Sequence, residues 1–196
     1  MTAEEVKSSI RNVPDYPIKG IQFKDITTAL SKPDCLRWMR DEMVKRYKGL
    51  GITQVVGIES RGFIIAPAVA MEIGAGFVPI RKPGKLPGEK IKVEYTKEYG
   101  TDSIEIHKGA LNENDIVLIH DDILATGGSL MAAVELVEHN KPNGNVEQTK
   151  TYHRQTHDST GTEGNLQSCI QTLTGCISRT GRSVGGSLHA EETSQT

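Results

Sequence analysis

Residues 116–129 read Ile-Val-Leu-Ile-His-Asp-Asp-Ile-Leu-Ala-Thr-Gly-Gly-Ser, and few folds can carry such a string. The apolar, β-branched opening predicts a buried strand in a mostly parallel sheet. Two adjacent carboxylates end that strand, a loop of small residues follows, and an apolar-periodic helix begins at about Ser129. A glycine-containing loop between a strand and a helix N-terminus is a physical anion site. Backbone N–H groups converge there, and the helix dipole favours negative charge. Thr126 and Ser129 add hydroxyl donors. Gly127 and Gly128 let the backbone approach a phosphate closely, because neither carries a Cβ. Carboxylates do not bind phosphate, so Asp121 and Asp122 must face another part of the same ligand, such as sugar hydroxyls or a magnesium ion. A ligand with a phosphate and a ribose satisfies both demands. The Gly-Lys-Ser/Thr of a Walker loop is absent.

The rest of the chain supplies further strand–loop–helix units. The pattern predicts a short amphipathic helix over 3–12, with Val6 and Ile10 on one face. Two prolines and a glycine make 13–27 a loop that ends in a short extended piece. A helix is expected over 33–50, with Leu36, Met39, Met43 and Tyr47 as its buried stripe. An apolar strand over 54–58 ends in Glu59-Ser60-Arg61-Gly62-Phe63, and a helix runs from about 64 to 73. A polar loop at a strand's C-terminal edge is where doubly wound sheets bind ligands; by themselves, Glu59 and Arg61 make only a surface ion pair. A third strand spans 76–80. Residues 81–88 cannot continue regular structure, and Arg81, Lys82 and Lys85 there carry enough charge to neutralise a polyphosphate. Ser103 to His107 alternate as a strand with Ile104 and Ile106 inward, and 112–115 form a turn into the opening string. His107 reads as a structural or surface histidine. After Ser129 the helix carries Ala132, Ala133, Leu136 and Val137 on one face and ends near Asn140.

Composition excludes several function classes. The net charge of -2 provides no basic field for nucleic acid, and 5% aromatics leave little for base-stacking platforms. Cys35, Cys169 and Cys176 show no metal-ligand or disulfide spacing, which makes a reducing cytoplasm the default compartment. No stretch approaches the roughly 18 apolar residues of a membrane span, and residues 1–10 lack an apolar signal core. Composition changes sharply near Asn140. All three phenylalanines and the tryptophan precede it, whereas more than half of the residues from there on are Gly, Ser, Thr, Asn or Gln. Residues 140–196 are therefore expected to be mostly irregular or poorly ordered, leaving the motif strand with a poorly covered edge.

The string Asp121-Asp122-Ile123-Leu124-Ala125-Thr126-Gly127-Gly128-Ser129 resembles the phosphoribosyl-pyrophosphate motif of the type I phosphoribosyltransferases. Its Leu-Ala-Thr-Gly-Gly wording looks like the adenine branch. The hood-like Pro14-Asp15-Tyr16-Pro17 and Gly20-Ile21-Gln22-Phe23-Lys24-Asp25-Ile26, and the run from Arg81 to Pro87 and on to Glu98-Tyr99-Gly100, are also similar to that branch. The resemblance covers about residues 6–139 and holds three separated motifs in family order. It implies an α/β core, with a central, mostly parallel sheet flanked by helices, over residues 1–139. An N-terminal hood would occupy about 12–28 and a mobile lid about 82–100. The implied reaction is adenine plus phosphoribosyl pyrophosphate giving AMP and pyrophosphate, with Mg2+ bound mainly through the substrate, no confident direct metal ligand, and a homodimer as the usual assembly. Carried over residue by residue, Phe23 stacks on adenine and the backbone of Gln22 and Lys24 reads its edge. Arg61, Arg81, Lys82 and Lys85 meet the pyrophosphate, Asp121 and Asp122 hold the ribose, and Ala125, Thr126, Gly127, Gly128 and Ser129 fix the 5′-phosphate. Glu98 is the acid facing the purine ring, and Tyr99 covers the reacting centre. A non-proline cis peptide would fall at Glu59–Ser60.

Two features depart from the family. His120 stands where Val or Ile is usual and must find a partner or cost stability. The final apolar strand and helix–strand unit are missing, as a reading-frame change or a transplanted C-terminus would leave them. A phosphoribosyltransferase for another purine base, and a non-catalytic sugar-phosphate-binding relative, remain as alternatives.

Overall fold

The computed structural model describes residues 1–97, 100–122, 127–140, 149–151 and 176–180, the last two segments as backbone. Its centre is a five-stranded sheet in the order β4 (Gly76–Ile80), β3 (Gln54–Ile58), β7 (Ile116–His120), β9 (Cys176–Thr180), β8 (Thr149–Thr151). β4, β3 and β7 are parallel, as their continuous apolar runs require. β3 and β4 have the bounds expected from sequence.

Period-2 alternation splits the buried strand residues between two faces. Val55 and Leu118 pack with Met39, Met43 and Tyr47 of α3 (Pro33–Tyr47) and Ile65, Ala66 and Val69 of α4 (Gly62–Ile73). Val56, Val117 and Ile119 pack on the other face with Ala133, Leu136 and Val137 of α5 (Gly128–His139). That face is completed by Val93, Ile104 and Ile106 of the hairpin β5 (Lys90–Lys97) and β6 (Gly100–His107). Layers on both faces hold the strand ends rigid, which is what a site built from strand-end loops needs.

Several expectations give way to tertiary context. The N-terminal helix α1 stops at Ser8 behind a Thr2–Glu5 capping box, and Arg11–Pro14 forms strand β1. β1 pairs antiparallel with β2 (Gln22–Asp25), so the expected 3–12 helix loses its last turn to a ribbon. A one-turn helix α2 (Thr27–Leu30) joins β2 to α3. In α3, Leu36 lies outside the buried stripe and Cys35 takes its place. The edge of β7 expected to be poorly covered is paired. Cys176–Thr180 pairs there antiparallel, Leu118 opposite Ile177 and Ile119 opposite Cys176. Backbone pairing asks less of a sequence than core packing does, and a polar strand meets that demand at an edge. The expectation of irregular structure over 141–148, 152–175 and 181–196 lies outside the described residues.

Candidate functional site

The C-terminal ends of β3 and β7 converge because Gly62 permits it. A Cβ on Gly62 would lie 2.7 Å from the His120 carbonyl oxygen and 3.5 Å from the Asp121 Cα. The loop after β3, with a cis Glu59–Ser60 peptide at the expected place, therefore rests directly on the two acids after β7. Arg61 Nε lies 2.9 Å from one carboxylate oxygen of Asp122 and donates a 3.0 Å hydrogen bond to the other. The Asp122 side chain is only 5% exposed. The surface pair between Glu59 and Arg61 suggested by sequence is thus replaced: Arg61 crosses to Asp122, and Glu59 takes Arg81.

Burial pushes both neighbouring carboxyls above the ordinary aspartate range. The Asp122 charge adds to the effect on Asp121, whereas the Arg61 guanidinium offsets it most at Asp122. The two acids titrate as a pair, and Arg61 favours the charged form more strongly at Asp122 than at Asp121. The described site therefore holds a coupled acid pair beside one arginine. Incoming positive charge, or a hydroxyl able to donate, would favour full ionisation. Five residues past Asp122, Gly127 sits at φ +81 as the N-cap of α5, and among the described residues no side-chain hydrogen bond caps it. Gly128 and Ser129 open its first turn. Ala125 and Thr126 lie outside the described residues, as do Glu98 and Tyr99.

The cationic loop is more committed than its sequence suggests. Arg81 donates from Nε and Nη2 to Glu59 at 3.0 and 3.2 Å, and the Lys82 N–H donates to the same carboxylate at 2.7 Å. Arg81 holds the Glu59 carboxyl below its usual range. Lys82 Nζ donates to Asp102 at 2.6 Å and to the Tyr95 hydroxyl at 3.0 Å. Burial disfavours that ammonium, but these two partners outweigh it and raise its pKa. Lys85 is exposed, and among the described residues it forms no ion pair. Of the three expected polyphosphate cations, two are bound to the protein's own acids and one is presented. Sequence reasoning missed these pairings, Glu59 with Arg81 and Asp102 with Lys82, and it missed Glu105, which accepts the Gly84 N–H beneath the loop. The signal available was the β6 alternation, which places Glu105 on the face opposite Ile104 and Ile106.

The hood presents Phe23 half-buried, with Tyr16 edge-on at a ring-centroid distance of 5.2 Å. Val13 lies opposite Phe23 in the β1–β2 ribbon. Among the described residues that ribbon has only two strands, so the outer edge of β2, with the Gln22 and Lys24 peptides, pairs with no other strand. His107 has a partner after all: its Nε2 lies 2.9 Å from the Pro87 carbonyl oxygen, tying β6 to the cationic loop.

The donor set accepts magnesium only in company. Hard cations take six or more oxygens, and among the described residues no cluster of three or more His, Cys, Asp or Glu could hold one. The acid pair offers oxygen donors, so the remaining ligands fit substrate oxygens. No described helix is long and apolar enough to cross a membrane.

An acid pair, a helix N-terminus and a cation-bearing loop at parallel strand ends suit a phosphoribosyltransferase, and the family description "Phosphoribosyl transferase domain" matches residues 33–153. The adenine phosphoribosyltransferase of Bacteroides thetaiotaomicron is 58% identical over 142 residues, covering 72% of this chain and 81% of that one. The crystal structure of the Giardia lamblia enzyme complexed with 9-deazaadenine superposes with a TM-score of 0.68 at 48% identity, covering 72% of this chain and 78% of that one. The enzyme from Thermoanaerobacter pseudethanolicus gives 0.68 at 46% identity, covering 71% and 82%. The chain belongs to the adenine phosphoribosyltransferase family.

Proposed function

We propose that the chain converts adenine and 5-phosphoribosyl 1-pyrophosphate to AMP and pyrophosphate. The observation that carries the proposal is the meeting of Arg61 with Asp122 beside the N-terminus of α5. One short span holds a pyrophosphate-compatible cation, a ribose-compatible acid pair and a phosphate-compatible helix end. In the reaction, the bond from the ribose C1′ to pyrophosphate breaks and a bond to the adenine ring nitrogen forms, through a cation-like ribosyl transition state. Positioning and charge stabilisation are then the enzyme's main contributions.

The roles follow from the residue chemistry. Asp121 and Asp122 hold the ribose hydroxyls and lie near the developing positive charge. Arg61 exchanges Asp122 for pyrophosphate oxygens, and Lys85 adds a second cation. Arg81 and Lys82 reach the same group only by releasing Glu59 and Asp102. Ala125 to Ser129 hold the 5′-phosphate. Phe23 stacks on adenine, and the open β2 edge offers Gln22 and Lys24 peptides, whose alternating donors and acceptors suit adenine's own. Glu98 hydrogen-bonds or protonates the purine ring, and Tyr99 covers the reacting centre. Magnesium, when bound with the substrate, supplies positive charge to pyrophosphate and ribose oxygens. We further propose a homodimer in a reducing cytoplasm; the free, buried thiol of Cys35 suits that compartment.

The test is AMP formation by the purified full chain, with adenine, guanine, hypoxanthine and xanthine offered in parallel. Turnover of adenine alone supports the proposal. Preference for another base, or ligand binding with no turnover, overturns it.

A further inference from the structure

The cationic loop is pinned from beneath by a residue that touches no substrate in the proposed reaction. Glu105 lies mid-strand in β6 and is 5% exposed, a costly place for a carboxylate. Its backbone forms a two-hydrogen-bond bridge with Arg81: the Arg81 N–H donates to the Glu105 carbonyl at 2.9 Å, and the Glu105 N–H donates to the Arg81 carbonyl at 2.8 Å. Its side chain reaches three residues further along the loop and accepts the Gly84 N–H at 3.1 Å. Lys90 Nζ, 3.7 Å away, offsets its charge.

Gly84 is left-handed at φ +76, with open space where a Cβ would point. The glycine is therefore required for conformation rather than for room. A Lys85 N–H to Lys82 carbonyl bond of 3.2 Å closes the turn around it. Such a turn fixes the direction of the next side chain only if its central peptide cannot rotate. The Glu105 carboxylate supplies that restraint, one residue before Lys85. The Lys85 charge also helps, after Arg81, to hold the Glu59 carboxyl below its usual range, and Glu59 begins the loop that carries Arg61.

We propose that Glu105 is a positioning residue for pyrophosphate binding, fixing the Gly84 peptide so that Lys85 is aimed at the substrate. The inference rests on Lys85 contacting pyrophosphate. Without the restraint the turn samples other peptide orientations, and substrate binding must then order it. The penalty falls on phosphoribosyl pyrophosphate and not on adenine, which meets the hood.

Two substitutions separate reach from charge. Glu105→Asp keeps the charge near Lys90 but is too short to reach Gly84; Glu105→Gln keeps the reach and an acceptor but loses the charge. With steady-state kinetics on the full chain, E105D is expected to raise KM for phosphoribosyl pyrophosphate about tenfold, the value of a charge-assisted hydrogen bond. KM for adenine should stay within about twofold of wild type, and E105Q should stay within about threefold for both substrates. A double-mutant cycle with Lys85→Met then tests the route: in the K85M background, E105D should add less than about twofold. Equal rises in both KM values, a larger effect for E105Q than for E105D, or full additivity with K85M would each overturn the role of Glu105. If K85M alone leaves KM for phosphoribosyl pyrophosphate unchanged, the assignment of Lys85 itself fails, and the inference with it.

Discussion

Replacing His120 by Val should make the protein more stable, by an amount that depends on pH. His120 is fully buried at the end of β7, and among the described residues neither ring nitrogen has a hydrogen-bond partner. A buried polar group left unsatisfied costs about 1–3 kcal/mol. Valine removes both nitrogens and suits a strand, and its slightly smaller volume gives back only about 0.3 kcal/mol as a cavity term. The expected gain at pH 7.5 is therefore about 1–2 kcal/mol, or roughly 2–8 °C in Tm for a chain of this size. Acid adds a second effect. Burial lowers the His120 pKa from 6.5 to about 4. Between those values the unfolded chain binds the proton and the folded one does not, so stability falls as pH falls through that window. At pH 4.5 this amounts to about 2–3 kcal/mol in the wild type and nothing in His120→Val. Asp121, whose pKa is raised in the fold, changes stability in the opposite sense, but both proteins share it and the difference between them cancels it. Urea melts of both proteins at pH 7.5 and pH 4.5 provide the measurement. A variant less stable than wild type at pH 7.5, or a stability difference that does not grow at pH 4.5, would refute the reasoning.

Changing Asp121 and Asp122 together to Asn should cut turnover at least tenfold, about 1.4 kcal/mol of barrier, with the melting temperature unchanged or higher; full turnover would remove the ribose-holding role. Phe23→Ala should weaken adenine binding by about 1–3 kcal/mol and phosphoribosyl pyrophosphate binding far less, as calorimetry can separate; equal losses would make Phe23 a packing residue. Arg61→Met withdraws the cation that offsets burial at the acid pair, so the acid limb of the kcat/KM profile should move to higher pH, and an unmoved limb would show that the pair is not seen in catalysis.

The parallel core was legible because each strand had to be apolar on both faces. Val55 and Val56 could be read as buried without knowing which layer each would meet. The loops at the strand ends were legible as polar, but their pairings were not. Arg61 has Glu59 two residues away in sequence, yet it reaches Asp122, sixty-one residues further on, because Gly62 lets the chains touch. Nothing local encodes that approach. The same limit hid Glu105, which looks like an ordinary outward residue of an alternating strand until the bridge to Arg81 folds a loop over it. At the amino end, a weak helix pattern lost to pairing with β2, since residues 9–12 can form backbone bonds either way and the ribbon also brings Thr28 to the Arg11 N–H at 3.0 Å. His120 was the reverse case: its cost was plain from the sequence, and no described residue hydrogen-bonds its ring.

The position of β9 bears on how the chain is made. β7 is flanked by β3, which precedes it, and by β9, which begins fifty-six residues after β7 ends. Synthesis runs from the amino end, and domains tend to fold as they emerge. The strand leading into the acid pair is therefore complete, docked on β3 and backed by α5, before its second neighbour has been translated. During that interval an apolar strand presents a row of unpaired peptide groups, the kind of surface that recruits strands from other chains. Slower translation lengthens the exposure, and lower temperature or chaperone capture limits the aggregation it invites. Pairing by residues 176–180 ends that exposure.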